Sequence, residues 1–220
     1  MSTKGSAFVV IEGVEGSGKS TQAQRLAQNI ASLGLEVVLT HEPGGTPLGS
    51  RIRAVLLDSE VSAAALAELF LYLADRAQHV AEVIKPALER GAVVVCDRYT
   101  PSTVAYQSAG RGLDLDLVER LCAQASGGIE PDLVVVVDVP PQAGLRRKGT
   151  SVDRMEREPL EFHSRVRNEY LRQASREPGR FVVVDGLLSV DKVERAILEA
   201  VEKRLLFLKG WQSFSPESRQ

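Results

Sequence analysis

Residues 13–20, with the sequence GVEGSGKS, constrain the fold of this chain more than any other stretch. They match the pattern G-x-x-x-x-G-K-[ST] at every fixed position, and glycines in such a loop let backbone N–H groups turn inward around a phosphate. The apolar run Ala7 to Ile11 precedes the loop and predicts a buried strand, while residues 21–30 predict a helix. An ordinary glycine-rich turn is the alternative, but strand, loop, Lys-Ser pair and helix together favour a nucleotide phosphate site.

The positions of this loop have predicted roles in holding a nucleotide. Lys19 should reach the β- and γ-phosphates, and Ser20 should be a ligand of Mg²⁺. The N-terminus of the following helix adds partial positive charge at the same point. The nucleotide-binding residues predicted here are Gly13, Val14, Glu15, Gly16, Ser17, Gly18, Lys19, Ser20 and Thr21.

Composition excludes several other classes of protein. The chain has 220 residues, of which 44% are hydrophobic and 25% charged, as in one soluble globular domain. A net charge of −2 argues against nucleic-acid binding, and no apolar run approaches the roughly 18 residues of a membrane span. Cys96 and Cys122 lack metal-type spacing, and the residues before Ala7 leave no room for a signal peptide. We therefore expect a cytoplasmic protein that binds neither nucleic acid nor membrane.

Five apolar runs alternate with helical stretches and predict the fold class. They are Ala7 to Ile11, Glu36 to Thr40, Ala92 to Cys96, Leu133 to Val137 and Phe181 to Val184. Nearly all are continuous and rich in valine, which is typical of strands buried in a parallel sheet. The expected fold is α/β: a doubly wound five-stranded parallel sheet with helices on both faces. Ligands bind at the carboxyl ends of such strands, where Gly13, His41, Asp97 and Asp138 fall.

A long helix is predicted over residues 63–89, because its apolar residues keep the i, i+3, i+4 period. Tyr72, Arg76 and His79 share one face of it. An aromatic ring and an arginine one turn apart could hold a base and a phosphate. The pattern alone also fits a tyrosine at the core edge beside a solvated arginine, and it favours a structural role for His79.

The third apolar run ends in Asp97, the position from which an acid can hold Mg²⁺ or its waters. A polar segment follows, and it contains Arg98, Ser102, Tyr106 and Gln107. Asp138 also ends a strand, but two prolines follow it and indicate a structural turn, so it receives no role.

Residues 146–158 are dense in charged side chains, which excludes a core segment. They are either a solvated loop or a mobile lid whose arginines close over phosphates. We expect one domain over residues 1–207 that includes this lid, followed by a C-terminal tail at 208–220. The tail either docks through Trp211 and Phe214 or is disordered.

Together these stretches resemble the thymidylate kinase family, from about Phe8 to about Leu205. The resemblance rests on FVVIEGVEGSGKSTQ at 8–22, EPGGT at 42–46, ADRAQH at 74–79, DRY at 97–99 with Ser102, AYQ at 105–107 and GRG at 110–112, and DRME at 153–156. It implies a P-loop kinase fold with a short lid, an enzyme that phosphorylates dTMP to dTDP with ATP and Mg²⁺ in dTTP biosynthesis, and a homodimer. The loop at residues 13–20 then becomes the expected ATP site.

The resemblance also implies roles on the acceptor side. Glu15 matches an acid near the dTMP sugar and phosphate, and Arg53 and Arg98 match arginines on the acceptor phosphate. Arg76 matches an arginine that hydrogen-bonds thymine, and Tyr72 holds the position of a base-stacking aromatic residue, usually Phe. The remaining residues that match the acceptor pocket are Ser102, Tyr106 and Gln107.

On the donor side the resemblance implies that Asp97 helps to hold Mg²⁺ and that Arg146, Arg147 and Arg154 close on ATP. No basic residue lies between Gly13 and Lys19, which resembles members whose catalytic arginine comes from the lid. Arg154 is the first candidate for that role and Arg147 the second. The catalytic residues expected are Lys19, Arg98, Glu15, Arg154 and Arg147. His41 stands where many members have Arg, and it receives no role.

Two other functions remain open at this point. A kinase for another nucleoside monophosphate or deoxynucleoside monophosphate would share the phosphate loop and the acceptor arginines. A P-loop NTPase that acts as a switch or partner-binding module would share the loop alone, and it would need no acceptor pocket.

Overall fold

Strands and helices alternate along the chain, and the computed structural model describes residues 6–148 and 154–205. The strands are β1 (Ala7–Glu12), β2 (Val37–His41), β3 (Val93–Asp97), β4 (Leu133–Asp138) and β5 (Phe181–Asp185). The α-helices are α1 (Lys19–Ser32), α2 (Pro47–Leu57), α3 (Ala65–His79), α4 (Lys85–Glu89), α5 (Thr100–Thr103), α6 (Leu115–Ala125), α7 (Pro141–Lys148), α8 (Leu160–Arg176) and α9 (Val190–Leu205). Two π-helical segments, Val80–Ile84 and Val104–Gly110, follow α3 and α5 without a break.

The strands form one parallel sheet in the order β2-β3-β1-β4-β5. β1 is therefore central, and Ile11 pairs in register with Asp97 on one side and with Val135 on the other. This register brings the end of β3 beside the phosphate loop that follows β1. The predicted doubly wound five-stranded parallel sheet is confirmed, and each strand lies within one residue of its predicted bounds.

Successive residues of the central strands face opposite sides of the sheet, and helices cover both sides. On one side Val9 and Ile11 pack with α1 and α9. On the other side Phe8 and Val10 pack with α8 and with the helical segment after α3. The covered faces leave the carboxyl edge of the sheet open for a site.

The outer strands β2 and β5 are less buried than the sequence predicts. Leu39 and Val183 are each 45% exposed, because an edge strand has a neighbour on one side only. Continuous apolar composition therefore does not separate central strands from edge strands in this sheet.

The predicted long helix is present over residues 65–89, but its middle is π-helical at Val80–Ile84. Pro86 lies just beyond this turn and has no N–H to give to a preceding carbonyl. A π turn absorbs the resulting mismatch in the hydrogen-bond ladder. Apolar periodicity cannot reveal such a turn, because the same stripe stays buried through it.

Among the described residues, none of the helices combines the length and hydropathy that crossing a bilayer requires. Residues 149–153 of the predicted lid lie outside the described residues, and so does the predicted tail at 208–220 with Trp211 and Phe214.

Candidate active site

The phosphate loop connects β1 to α1 and has backbone angles that need glycine. Gly13, Gly16 and Gly18 all have positive φ, and a Cβ on Gly16 would lie 1.9 Å from the carbonyl oxygen of Gly144. Gly18 caps α1 without any side-chain hydrogen bond, so the first N–H groups of that helix remain available to an anion. Lys19 Nζ lies 3.4 Å from the carbonyl oxygen of Val14, above the same loop. The loop can therefore hold a polyphosphate through its backbone.

Two cavities open beside this loop and share the side chains of Lys19 and Ser20. The first measures about 430 Å³ and lies over the ends of β2 and β3, where Glu15, Arg98 and Tyr106 line it. The second measures about 560 Å³ and lies along the loop and the start of α9, with Arg147 at its wall. Two ligands that occupied these cavities would meet at Lys19.

Glu15 and Arg98 form the charged centre of the first cavity. Arg98 Nη2 donates to Glu15 Oε1 at 2.9 Å, and the guanidinium lies 5.0 Å from the centroid of the Tyr106 ring. The Tyr106 hydroxyl lies 2.6 and 2.7 Å from the two carboxylate oxygens of Glu15. Burial alone would raise the pKa of Glu15, but Arg98, His163, Lys19 and Tyr106 outweigh it and hold that pKa well below its usual range. Glu15 is therefore an anion that can accept hydrogen bonds but not supply a proton.

Arg98 is held in a strained backbone conformation with φ 77°, which residues other than glycine rarely adopt. Its Nη1 donates to Ser102 Oγ at 2.9 Å and to Tyr170 Oη at 3.0 Å. Beneath it Glu12 is fully buried and accepts from the backbone N–H groups of Tyr99 and Ser102. Burial raises the pKa of Glu12 despite these donors. Glu12 thus ties the end of β3 to the start of α5 and aims Arg98 into the cavity.

Arg76 lines the first cavity but is only 2% exposed. Its Nε and Nη2 donate to Glu42 Oε2 at 2.9 and 2.7 Å, and its Nη1 donates to Thr103 Oγ1 at 2.9 Å. Burial would lower the pKa of Arg76, but Glu42 and its other neighbours raise it overall. The alternative interpretation of Arg76 as a solvated arginine, which the helix pattern also allowed, is therefore wrong.

His79 is fully buried between Thr40 and Glu42, at 2.6 Å from the first and 2.9 Å from the second. The structural role favoured for His79 is confirmed by these contacts.

The other residues expected on the acceptor side are distributed around the same cavity, and Tyr72, Arg53, Ser102 and Gln107 all line it. Arg53 is exposed at its rim and donates to the carbonyl oxygen of Pro43 at 2.8 Å. Gln107 is buried and donates to Glu68 Oε1 at 2.8 Å. His41 also lines this cavity, and partial burial and the Arg53 guanidinium lower its pKa. The fold thus brings to one cavity residues that lie far apart in the chain.

Ser20 and Asp97 fit a magnesium site. Ser20 Oγ donates to Asp97 Oδ2, and Asp97 Oδ1 is buried without a hydrogen-bond partner among the described residues. Oxygen ligands of this kind suit Mg²⁺. Within residues 6–148 and 154–205, no group of three or more His, Cys, Asp and Glu side chains could enclose a metal ion. Phosphate oxygens and water would therefore complete the coordination.

The three arginines of the predicted lid lie in different places. Arg147 Nη1 donates to the carbonyl oxygen of Gly186 at 3.0 Å and lies 3.5 Å from that of Gly16, at the second cavity. Arg146 is exposed and donates to the carbonyl oxygen of Gln142 in its own helix. Arg154 Nη1 lies 2.6 Å from Glu68 Oε2, and Glu68 also accepts from Gln107 at the first cavity. Arg147, the second candidate for the catalytic arginine, therefore lies closer to the phosphate loop than Arg154, the first candidate.

Asp138, which received no role, pairs with Arg167 through two hydrogen bonds of 2.7 Å. This pair joins the end of β4 to α8 and lies outside both cavities.

Comparisons with known proteins agree with this geometry. The family model described as thymidylate kinase matches residues 11–197. The chain belongs to the thymidylate kinase family. It is 52% identical over 208 residues to the thymidylate kinase of Solidesulfovibrio magneticus, covering 90% of this chain and 100% of that protein. It is 48% identical over 207 residues to that of Geobacter sp. (strain M21), covering 90% and 92%. A crystal structure of thymidylate kinase from Ehrlichia chaffeensis superposes with a TM-score of 0.74 at 31% identity, covering 90% of this chain and 99% of that one.

Membership in the thymidylate kinase family makes this chain a nucleotide-binding transferase of the kinase class. Several residues that shape its site were not singled out from the sequence. They are Glu12, Glu42, Glu68, His163 and Tyr170. Glu12 and Glu42 lie inside stretches that carried the family resemblance, so an acid at a strand end was an available signal. No comparable local signal marked Glu68, His163 or Tyr170, because each acts through a partner that is distant in sequence.

Asp75 gives the stability of the fold a testable pH dependence. Its Oδ1 accepts from the N–H of Gly44 at 3.0 Å, while Oδ2 is buried without a hydrogen-bond partner among the described residues. Burial and the neighbouring Glu42 raise the pKa of Asp75 to about 6. Between its ordinary value and about 6, the folded state holds a proton that the unfolded state has released, so stability falls as pH rises through this window.

We expect Asp75→Asn to gain stability relative to the parent as the pH rises from about 4 to about 8. The unfolding free energy of the variant minus that of the parent should be up to about 3 kcal/mol larger at pH 8 than at pH 4. The amide keeps an acceptor for Gly44 and cannot ionise. Urea unfolding of both proteins at the two pH values measures the effect, with the exposed Asp116→Asn as control. Equal differences at both pH values would contradict the buried, neutral carboxyl group.

Proposed function

We propose that this protein transfers the γ-phosphoryl group of ATP to dTMP and forms dTDP, a step towards dTTP, with Mg²⁺ as cofactor. One observation carries the proposal: the two cavities meet at Lys19 and Ser20. A donor along the phosphate loop and an acceptor over Glu15 and Arg98 would then have their phosphates adjacent. A nucleotide switch needs only the second cavity, which follows the phosphate loop, so the presence of the first cavity favours a kinase.

The donor would bind through the backbone N–H groups of residues 13–18, with its γ-phosphate near Lys19 Nζ. Mg²⁺ held by Ser20 and Asp97 would neutralise charge on the β- and γ-oxygens. Lys19 keeps a positive charge beside the phosphoryl group as it moves, which lowers the barrier because charge shifts between oxygens during transfer. Leu188, Val190 and Val193 offer an apolar wall of the second cavity for the base.

The acceptor phosphate would bind between Arg53 and Arg98. Because a phosphate is already ionised near pH 7, the acceptor needs no strong general base. Glu15, which stays ionised, would instead accept from a sugar hydroxyl of the acceptor, next to the hydroxyl of Tyr106. The ring of Tyr106 would also exclude a ribose 2′-hydroxyl by steric contact.

Base choice would depend on Tyr72 and Arg76. Tyr72 would stack on the thymine ring. Arg76 spends its Nε–H, one Nη2–H and its Nη1 group on Glu42, Thr103 and Cys122, which leaves one Nη2–H for a carbonyl of thymine. Cytosine presents an amino group where thymine has a carbonyl, so this N–H would lack an acceptor and binding would weaken.

A coupled ADP-release assay across dTMP, dUMP, dCMP, dGMP and AMP tests the proposal. We expect dTMP to be the best acceptor and dUMP, which lacks the methyl group, to be weaker. Faster turnover of AMP or dCMP would indicate a kinase for another monophosphate. ADP release that is independent of any acceptor would indicate an NTPase.

A lid arginine should supply the remaining positive charge, and the two candidates can be separated. We expect Arg147→Ala to lower kcat by about 10- to 100-fold with little change in dTMP affinity, because Arg147 borders the donor cavity. Arg154→Ala should change kcat less than Arg147→Ala, because Arg154 pairs with Glu68 and does not border the donor cavity. Arg146→Ala provides the matched comparison. Three variants within about threefold of the parent would mean that the lid supplies no catalytic arginine.

A homodimer through α2 and α3 is also part of the proposal. These helices pack together and expose four large apolar residues, each with 44% to 53% of its surface accessible, namely Leu48, Val55, Leu66 and Phe70. Such a patch is typical of an interface between subunits. We expect Phe70→Glu to convert the dimer to a monomer in light scattering at micromolar concentration. The control variant Val183→Glu, on an exposed edge strand, should remain dimeric. A monomeric parent would contradict the proposed homodimer.

A cytoplasmic location and a single domain over residues 1–207 complete the proposal. Cys96 and Cys122 are both free and buried, as expected in a reducing compartment.

A further inference from the structure

His163 is a buried imidazole in α8 to which the proposed reaction assigns no role. It is 1% exposed, and its ring packs edge-on against Phe162 with the centroids 5.5 Å apart. Its Nδ1 lies 3.5 Å from Glu15 Oε2. Neither ring nitrogen has a hydrogen-bond partner among the described residues. A buried polar group without a partner costs about 1–3 kcal/mol, so the ring needs a compensating contact.

Glu15 offers that contact, because its two oxygens are unequally satisfied. Oε1 accepts from Arg98 Nη2 at 2.9 Å and lies 2.6 Å from the Tyr106 hydroxyl. Oε2 lies 2.7 Å from the same hydroxyl, which has a single hydrogen and cannot donate fully to both oxygens. A shift of a few tenths of an ångström would let Nδ1–H of His163 donate to Oε2. Each carboxylate oxygen would then have its own donor.

We propose that His163 is a positioning residue for the acceptor nucleotide: its Nδ1–H holds Glu15 Oε2 and so fixes the carboxylate that faces the sugar of the bound monophosphate. His163 itself does not line the acceptor cavity, whereas Glu15 does, so its effect passes through Glu15. The inference rests on the proposed function, because the orientation of Glu15 matters to activity only when a nucleoside monophosphate binds there.

Three substitutions separate positioning from packing. His163→Phe keeps a ring against Phe162 but removes both nitrogens. His163→Asn carries an amide N–H at the position of Nδ1, whereas His163→Gln carries it at the position of Nε2. We expect the His163→Phe and His163→Gln variants to raise the KM for dTMP about tenfold, because each loses one hydrogen bond to a charged group. The kcat and the KM for ATP of both variants should stay within about threefold of the parent. Asn should keep the KM for dTMP within about threefold of the parent. The Asn and Gln pair decides the matter even if the Phe variant does not fold.

A double-mutant cycle with Glu15→Gln tests the coupling directly. Once Glu15 is replaced by a neutral amide, His163→Gln should change the KM for dTMP by about threefold or less, because the remaining amide oxygen accepts a hydrogen bond only about half as strong. The same tenfold loss in both backgrounds, or equal effects of Asn and Gln, overturns the positioning role. If the parent enzyme does not turn over dTMP, both the proposed function and the positioning role fail. A parent active on dTMP with an unresponsive His163→Gln variant defeats the positioning role alone.

Discussion

Lys19→Ala is expected to lower turnover by about 10²-fold or more while leaving the free energy of unfolding nearly unchanged. Lys19 borders both cavities, so its charge would stay beside the phosphoryl group throughout transfer. Its side chain is half-buried at the loop and is not part of the apolar core. Steady-state kinetics with ATP and dTMP, together with urea unfolding, measure the two effects separately.

Lys203→Ala is the matched control for this experiment. It removes the same charge from an exposed position in α9 that lines neither cavity. Its turnover should equal that of the parent. Near-normal turnover of Lys19→Ala would exclude the role assigned to this lysine and, with it, the reaction at the junction of the cavities.

Arg98→Met is expected to lower kcat/KM for dTMP by at least about 10²-fold and to destabilise the fold by about 3–5 kcal/mol. The activity falls because the acceptor phosphate loses a guanidinium donor. The stability falls because Glu15 and Glu12 remain buried without the cation that balances them. Kinetics at a temperature where the variant is folded, and urea unfolding, report each quantity.

A second substitution separates these two effects. The double variant Arg98→Met/Glu15→Gln removes the unbalanced charge of Glu15, so it should regain much of the stability but none of the activity. Arg167→Met serves as control, because it breaks a two-bond pair with Asp138 outside the cavities. If the double variant recovered activity together with stability, Arg98 would be structural and another group would bind the acceptor phosphate.

Local features of the sequence were sufficient for the fold class and for locating the phosphate loop. The phosphate loop is a run of adjacent residues, so its glycines, Lys19 and Ser20 can be recognised without knowledge of the remaining chain. Continuous valine-rich runs predicted the strands within one residue, because burial between two layers of helices demands such composition. The family resemblance added the residues expected on the acceptor side, and the fold brings them to one cavity.

Only the tertiary structure decided how those side chains are held. Tyr170 donates to Glu12 across 158 positions of sequence, and Arg154 pairs with Glu68 in another helix. His163 lies beside Glu15 because α8 packs over the end of β1, a contact that helix periodicity cannot encode. Periodicity reports which face of an element is buried, but the partner of a buried polar group depends on which elements meet. Sequence alone therefore determined the phosphate loop and the parallel sheet, whereas packing determined the charge network that aims Glu15 and Arg98 into the first cavity.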